Sequence, residues 1–255
     1  MYHTSKGVFI FFISIVLILT ACSGGTESQS QQSGSSDSIS GTCDNPLLPV
    51  KQGAMWVYVS NGGPGGSFTY TDTVTSVLDG KFTITSQFAD LIRTQEWACQ
   101  SDGLKALQLG GGTAAGISTL GMTAAFTTIE INGISLPKEV TPGMQWAYSL
   151  KMQGTMAMPG DQQAQSSGVY SVTTQEIGRE TITVPAGTFE AVKLQSNSTI
   201  DIVTSFEGID VPIKFNGTTI SWYVPGVGFV KSVENGDFGG TTFAATTELQ
   251  SYNIP

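Results

Sequence analysis

Side chains able to perform acid–base or nucleophilic chemistry are scarce in this chain. The single histidine, His3, lies at the amino terminus, so no imidazole follows it for a catalytic triad, a proton shuttle or a metal. Paired carboxylates could act as in glycosidases, with Glu176 and Glu180, or Asp201 and Glu207, as nominal pairs. Most acids lie beside turn residues or threonines, however, which favours solvated positions. We therefore predict no enzymatic activity, no cofactor and no metal site.

Cys22 offers the clearest chemistry, because it ends a signal-like segment. Lys6 precedes an apolar run from Val8 to Leu19, and Leu19-Thr20-Ala21-Cys22 follows. This arrangement resembles the signal peptide and lipobox of bacterial lipoproteins, and the run is short for a membrane core of ~30 Å. We expect removal of residues 1–21 and acylation of Cys22, since two or more acyl chains anchor a protein stably. A transmembrane anchor and a secretory signal cut elsewhere are the alternatives.

Residues 22–42 are predicted to be a flexible tether behind the lipid. The segment after Cys22 is Ser, Gly and Gln with a few acids and one aliphatic residue, Ile39. The whole chain has 11 Lys+Arg against 20 Asp+Glu and no basic cluster, so we expect no nucleic-acid partner. We predict a cell-envelope location facing the periplasm or the exterior. The expected partners are the membrane, through the acyl chains, a lipid or other apolar ligand, and an envelope protein.

Two cysteines remain once Cys22 carries lipid. Exported proteins fold in oxidising compartments, so Cys43 and Cys99 are expected to form a disulfide. Two buried free thiols are the alternative. A redox pair is disfavoured because the spacing is not C-x-x-C.

The mature sequence alternates apolar residues with Thr or Ser, a period of two that is typical of half-buried strands. Phe68–Thr75 is the clearest case. Similar stretches are Lys81–Ser86, Thr181–Val184, Phe189–Leu194, Ser198–Val203, Thr218–Tyr223 and Thr241–Leu249. Predicted turns lie at Asn61–Gly66, Asp79-Gly80, Pro185–Gly187, Asn216-Gly217 and Asn235–Asp237. Thr113–Phe126 is a candidate short helix, and the remainder predicts a mainly β, antiparallel fold.

Two distant segments share the pattern V-x-x-G-x-x-W-x-Y, at Val50–Tyr58 and Val140–Tyr148. The pattern W-x5-G also occurs twice, from Trp97 and from Trp222, and Val74 to Gly80 is similar to Val172 to Gly178. We infer an internal duplication, with a first unit at 43–134 and a second at 135–255, packed together as one domain. Chance similarity is the alternative.

A family resemblance rests on Val184–Phe189 (VPAGTF), Trp222–Lys231 (WYVPGVGFVK) and Gly143–Tyr148. These segments resemble a family of bacterial lipoproteins and exported proteins sometimes labelled TapB-like. The resemblance covers mainly the second unit. It implies a strongly curved antiparallel sheet, akin to a half-barrel, and a location in the cell envelope. It implies no established activity.

Five side chains are candidates for contact with a ligand. Met152, Met156 and Met158 share one face of a predicted strand, and thioethers suit a cavity for varied apolar molecules. Core filling is the simpler interpretation, and Cu(I) binding is a further alternative. Trp56 and Trp146 could stack on a ligand or fill the core.

Two functions follow as hypotheses. The first is a noncatalytic, membrane-anchored envelope lipoprotein that binds or chaperones an apolar or amphipathic ligand on a curved sheet. The second is a surface-displayed structural or interaction module without a ligand pocket, similar to an adhesin or an assembly accessory.

Overall fold

The structure is a computed structural model that describes residues 43–63, 66–109, 124–158, 162–238 and 240–255. The predicted signal peptide, Cys22 and the tether lie outside these residues, as does most of the candidate helix. Its last residues, 124–126, belong to a strand instead. No helix in the described ranges has the length and apolar character needed to cross a membrane.

The described chain forms one open antiparallel sheet of 13 strands. In chain order they are β1 (Met55–Gly62), β2 (Phe68–Leu78), β3 (Lys81–Gln87), β4 (Ile92–Gln100), β5 (Gly103–Ala106), β6 (Ala124–Gly133), β7 (Leu136–Pro137), β8 (Gln145–Met158), β9 (Gln162–Val184), β10 (Gly187–Phe206), β11 (Ile209–Val224), β12 (Gly228–Phe238) and β13 (Thr241–Asn253). Across the sheet the order is β6-β8-β9-β10-β11-β12-β13-β1-β2-β3-β4-β5-β7. The prediction of a mainly β, antiparallel fold is confirmed.

Sequence alternation gives the sheet two chemically different faces. In β1, Trp56 and Tyr58 are buried whereas Met55 is exposed. The strand register shows which residues of the next strand share the buried face. Tyr58 lies opposite Tyr70, and Trp56 lies opposite Asp72. Directly opposed residues in antiparallel strands point to the same side, so this side can be followed from strand to strand. We call it the inner face.

The sheet is strongly curved, because its two edges approach each other. The Tyr148 hydroxyl on β8 donates a 2.6 Å hydrogen bond to the carbonyl oxygen of Ala106 on β5. These strands are each second from opposite edges of the sheet. The Trp146 indole also donates to the carbonyl oxygen of Ser135, at 3.3 Å. A flat sheet of this width could not bring these groups together.

Residues 43–50 cover one end of the curved sheet, which we call the closed end. Cys43 and Cys99 are bonded, which ties this segment to β4, as the sequence predicts. The Asn45 amide donates to the carbonyl oxygen of Pro137 at 2.9 Å, and the Gly226 amide donates to that of Pro46 at 2.8 Å. Beneath the segment lies the main core, built from both halves of the chain. Its largest members are Leu47, Trp56, Tyr58, Phe82, Leu104, Leu136, Trp146, Leu194, Trp222 and Leu249.

Two predicted turns are wrong. Asn216-Gly217 lies within β11 and Asn235–Asp237 lies within β12, where Gly217 pairs with Gly236. The actual turn between β10 and β11 falls at Glu207-Gly208, both with positive φ. A Cβ on Gly217 would lie 3.0 Å from the Phe215 ring, and one on Gly236 2.5 Å from the Phe243 ring. These glycines therefore make room for the two rings, which stack 5.9 Å apart.

The repeated patterns fall on similar elements in part. Gly53 and Gly143 both adopt positive φ just before β1 and β8. Each W-x5-G pattern spans a hairpin, β4–β5 or β11–β12. Gly178, in contrast, lies inside β9, whereas its counterpart Gly80 lies in a turn. The duplication and its boundary at 134/135 remain a prediction.

Candidate functional site

The inner face carries a group of tyrosines and carboxylates beyond the closed end, which we call the tyrosine patch. Its members are Tyr58, Tyr70, Asp72, Tyr170, Tyr223, Phe229 and Glu234. They come from β1, β2, β9, β11 and β12. Tyr58 is also a member of the main core, and Tyr70, Tyr223 and Phe229 pack against that core. Tyr58 is 3% exposed, and the other six retain partial exposure.

The aromatic rings of the patch form a connected set. Tyr58 packs against Tyr70 with ring centroids 5.1 Å apart, and against Phe229 at 5.3 Å. Phe229 in turn contacts Tyr223 at 5.7 Å. Phe88, just after β3, stacks on Tyr70 at 5.2 Å. Such distances are typical of favourable ring pairs. The Tyr58 hydroxyl donates to the Phe229 carbonyl oxygen at 3.0 Å, which holds β1 against β12.

Asp72 places a carboxyl group among these rings. Burial raises the pKa of Asp72 to about 6, and a 2.5 Å hydrogen bond from the Ser86 hydroxyl opposes the shift in part. Burial, reinforced by the charge of Asp72, also raises the pKa of Tyr58 and of Tyr70 well above the usual value. Asp72 is therefore a partly desolvated acid with an aromatic lining.

Glu234 places a second carboxyl group on the same face. Burial raises the pKa of Glu234. Burial is also the main cause that raises the pKa of Tyr170 to about 12, with a contribution from the charge of Glu234 and from Tyr223. The pKa of Tyr223 rises to about 12 by burial alone. Glu234 thus lies close to Tyr170, as Asp72 lies close to Tyr70.

The basic side chains that form ion pairs do not lie on the face of the tyrosine patch. Lys193, Lys214 and Lys231 form ion pairs with Glu180, Asp201 and Glu248 on the other face of the sheet. Register places Arg93 beside Ser86 on the inner face. Neither Asp72 nor Glu234 forms an ion pair with a residue of the described ranges.

The five predicted ligand residues all belong to inner-face positions. Met152 and Met156 are 1% and 3% exposed, and Trp56 and Trp146 are likewise buried. Trp56 donates to the Val227 carbonyl oxygen at 2.6 Å, and the Met156 sulfur accepts from the Thr204 hydroxyl at 3.8 Å. Of Met158, only the backbone, at the end of β8, is described. The structure does not bring the two tryptophans and the methionines into one cluster, because Met152 packs in a separate one with Tyr148 and Leu150. Ligand contact by these five stays a prediction.

The nominal catalytic acids have structural partners. Glu176 is buried and accepts a 2.7 Å hydrogen bond from the Gly143 amide. Glu180 is exposed and accepts from the Trp222 indole at 2.6 Å. Asp201 pairs with Lys214, and Glu207 lies in the β10–β11 turn. No cluster of three or more His, Cys, Asp or Glu side chains suited to a metal occurs in the described part of the chain.

Sequence reasoning missed the tyrosine patch. One signal was present: Phe68, Tyr70 and Asp72 share the parity of the buried side of β2. The closeness of Tyr223 to Tyr70, and of Tyr170 to Tyr223 and Glu234, depends on the curvature of the sheet, which no local pattern reports.

A comparison with known families identifies the chain. A family model described as DUF3108-like matches residues 114–247, more than half of the sequence. The chain belongs to the DUF3108-like family. That finding does not confirm the TapB-like resemblance. The match covers β6–β12 and the first half of β13, including the inner-face residues Tyr170, Tyr223 and Glu234. No curated protein sequence matches this DUF3108-like chain.

Solved structures share the fold of this DUF3108-like protein. One is a protein of Parabacteroides distasonis ATCC 8503 described as a lipoprotein, at 17% identity and a TM-score of 0.52, covering 82% of this chain and 99% of its own. Another, from Bacteroides fragilis NCTC 9343, is described as an exported protein with a YmcC-like fold, at 14% identity and a TM-score of 0.50, covering 83% and 100%. At such identities the likeness concerns the fold alone.

Proposed function

We propose that this protein is a membrane-anchored lipoprotein of the cell envelope that binds an apolar or amphipathic ligand on the inner face of its sheet, without catalysing a reaction. The observation that carries the proposal is the tyrosine patch. Its side chains are enclosed by a curved sheet, yet all except Tyr58 keep contact with solvent. Concave surfaces with an aromatic lining and a few polar groups are typical of small-molecule sites.

The proposed anchor is Cys22. Its place after Leu19-Thr20-Ala21 supports acylation, and the fold neighbours include proteins described as exported or as lipoproteins. Cys22→Ser should leave an unprocessed precursor and move the protein out of the membrane fraction. Ser30→Ala is the matched control, because it alters a small polar residue of the predicted tether outside the signal. An unchanged precursor size and unchanged fractionation of Cys22→Ser would refute the anchor.

Ligand binding can be tested with neighbouring threonines that point to opposite faces. Thr219 lies opposite Glu234 and therefore on the inner face, whereas Thr218 contacts Asn197 on the other face. Thr219→Trp should fill the space beside the patch and reduce the lipids that co-purify with the full chain. Thr218→Trp should leave them unchanged. Far-UV circular dichroism checks that both variants fold. Equal lipid content in wild type and Thr219→Trp would contradict the proposal.

One observation favours the second candidate, a structural module without a pocket. Trp56, Met152 and Met156 are almost fully buried by other parts of the chain. A protein with this role alone would purify without any ligand. The lipid measurement above therefore separates the two candidates.

A further inference from the structure

Small hydroxyl side chains and one carboxylate occupy the middle of the inner face. They come from neighbouring positions on β11, β12, β13 and β1, which the register places side by side. We call them the hydroxyl recess, and its members are Ser60, Thr219, Ser221, Ser232, Glu234 and Thr247. Thr219, Ser232, Glu234 and Thr247 keep partial exposure, so a ligand on this face can reach them.

Aromatic rings border the recess on both sides along the strands. The Tyr223 and Phe229 rings lie toward the closed end, with centroids 5.7 Å apart. The Phe215 and Phe243 rings lie toward the opposite end and stack at 5.9 Å. Ala245, between Phe243 and the hydroxyl row on β13, is also small. Short side chains between rings on both sides leave a depression in the inner face.

Three polar groups of the recess have no partner within the described ranges. The Thr219 and Ser232 hydroxyls form no hydrogen bond there, and Glu234 forms neither a hydrogen bond nor an ion pair. The Thr247 hydroxyl, in contrast, donates to the Ser60 hydroxyl at 3.2 Å. Thr219 lies opposite Glu234, and Ser232 lies two residues before Glu234 on the same strand. The Cα atoms of these three residues therefore lie within about 9 Å of one another, close enough for one small polar group to contact all three side chains.

The distribution of charge disfavours an anionic ligand in the recess. The lysines of β10–β13 all form ion pairs on the other face of the sheet. Arg93 lies on the inner face but belongs to β4, and Asp72 lies three strands from Glu234, outside the recess. A phosphate or sulfate would thus meet the Glu234 carboxylate without a basic side chain from the strands of the recess.

The hydroxyl groups distinguish a neutral polyol from a quaternary ammonium group. Serine and threonine hydroxyls both donate and accept hydrogen bonds, and a carboxylate accepts them. A group that cannot form hydrogen bonds would leave the polar side chains of the recess desolvated and unpaired, which costs free energy. A sugar carries several hydroxyls that both donate and accept. The apolar side of its ring can also pack against an aromatic side chain such as Tyr223.

We infer, on the basis of the function proposed above, that the polar head of the ligand is a neutral polyhydroxylated group such as a sugar, which forms hydrogen bonds with Thr219, Ser232 and Glu234 in the hydroxyl recess. The ligand is then a neutral amphipathic glycoside. Ser60 and Thr247 contribute less to its binding, because their hydroxyls are bonded to each other.

The test uses four probes with the same chain and different heads: n-hexyl β-D-glucopyranoside, 1-hexanol, n-hexyltrimethylammonium and n-hexyl sulfate. The full chain is placed in phosphatidylcholine nanodiscs, and binding is measured by titration calorimetry with empty nanodiscs subtracted. The glucoside should bind about tenfold more tightly than hexanol, and the ammonium probe no more tightly than hexanol. The sulfate should bind most weakly.

A pair of double variants tests the residues. Thr219→Val with Ser232→Ala should lower the affinity for the glucoside about tenfold and leave that for hexanol unchanged. Thr218→Val with Ser171→Ala removes the same two hydroxyls from the other face and should change neither. The comparison of probes on wild type does not depend on how either variant folds.

Each other outcome overturns a defined statement. If hexanol binds wild type as tightly as the glucoside does, the sugar head is wrong while apolar binding stands. If the ammonium or sulfate probe binds more tightly than the glucoside, the head is charged and the inference fails. Equal loss of glucoside affinity in both double variants would reject the hydroxyl recess as the site. If no probe binds above empty nanodiscs, the proposed function fails together with this inference.

Discussion

The closed end and the tyrosine patch lie on one continuous sheet but differ in how their polar groups are used. At the closed end the Trp56 indole, the Asn45 amide and the Gly226 amide each donate to a backbone carbonyl of another segment. In the patch, Asp72 has one hydroxyl partner, Ser86, and Glu234 has no ion-pair partner in the described ranges. The closed end uses its polar groups to hold the fold, whereas the two carboxylates of the patch form no ion pair within the described ranges.

The same contrast holds for burial. Trp56, Leu104 and Leu249 at the closed end are at most 2% exposed. Tyr70, Tyr170 and Tyr223 in the patch keep partial exposure although the surrounding protein raises their pKa values. The difference indicates a tightly packed end and a patch whose side chains are largely but not fully buried. Changes at the closed end should act on stability, and changes in the patch on binding and pH response.

The largest expected effect is that of Trp56→Ala. The side chain is 2% exposed and its indole bonds to Val227, so truncation should lower the free energy of unfolding by about 4 kcal/mol. Ile209→Ala, at a position 67% exposed, is the control and should cost less than about 0.5 kcal/mol. Urea unfolding followed by far-UV circular dichroism measures both. If both variants lost a similar amount of unfolding free energy, the closed end would be no more tightly packed than the exposed surface.

The disulfide should rank second. It closes a sequence separation of 56 residues, so Cys43→Ser with Cys99→Ser should destabilise the protein by about 3 kcal/mol. Dithiothreitol should lower the urea midpoint of the wild type to about that of the double variant. It should not change the midpoint of the double variant. A midpoint that does not respond to reduction in wild type would contradict the assignment of Cys43 and Cys99 as a structural link.

Asp72→Asn, unlike the two changes above, should stabilise the protein. The folded pKa of about 6 exceeds the usual value of 3.8, so the protonated acid is favoured on folding, and stability is lost as pH rises from about 4 through 6. The substituted amide would keep an acceptor for Ser86 without the buried charge. The full shift corresponds to about 3 kcal/mol, and partial exposure reduces the expected gain to about 2 kcal/mol at pH 8, with little change at pH 3.

Urea unfolding at several pH values measures this gain. Tyr58 and Tyr70 lie close to Asp72 and stay neutral over this range because their pKa values are raised. Arg93 lies one strand further away, opposite Ser86. Asp201→Asn, on the other face, should show no such pH dependence. A gain that is equal at pH 3 and pH 8 would show that the charge of Asp72 is not its cause.

The sequence predicted the strands better than their connections. Alternation marked β2, β3 and β13, because period-two patterns reflect local burial on one face. It divided β10 into two stretches, Phe189–Leu194 and Ser198–Val203, and placed turns at Asn216-Gly217 and Asn235–Asp237. There, glycine serves a cross-strand ring contact and not a turn, which depends on Phe215 and Phe243 from different strands. Local residue types cannot distinguish these two uses.

For the candidate site, the sequence predicted which face of a strand a residue lies on, but not which residues come together. Parity correctly put Met152, Met156, Trp56 and Trp146 on one side of their strands. It could not indicate that Trp56 and Trp146 join the closed end while Met152 joins a second cluster. Nor could it bring Glu234 near Tyr170, since β12 and β9 are separated by two strands and meet through curvature. Curvature is a property of the whole sheet and has no short sequence signature.

The smallest expected effects compare two tyrosine hydroxyls within the patch. Tyr58→Phe removes the donor to the Phe229 carbonyl and should cost about 1 kcal/mol of stability, because a buried acceptor loses its partner. Tyr223→Phe removes a hydroxyl that has no protein partner in the described ranges and should change stability by less than about 0.5 kcal/mol. Ligand affinity should respond in the reverse order, with Tyr223→Phe the more sensitive variant. If both hydroxyls affect stability equally and neither affects binding, the patch is an ordinary part of the core, and the contrast with the closed end is lost.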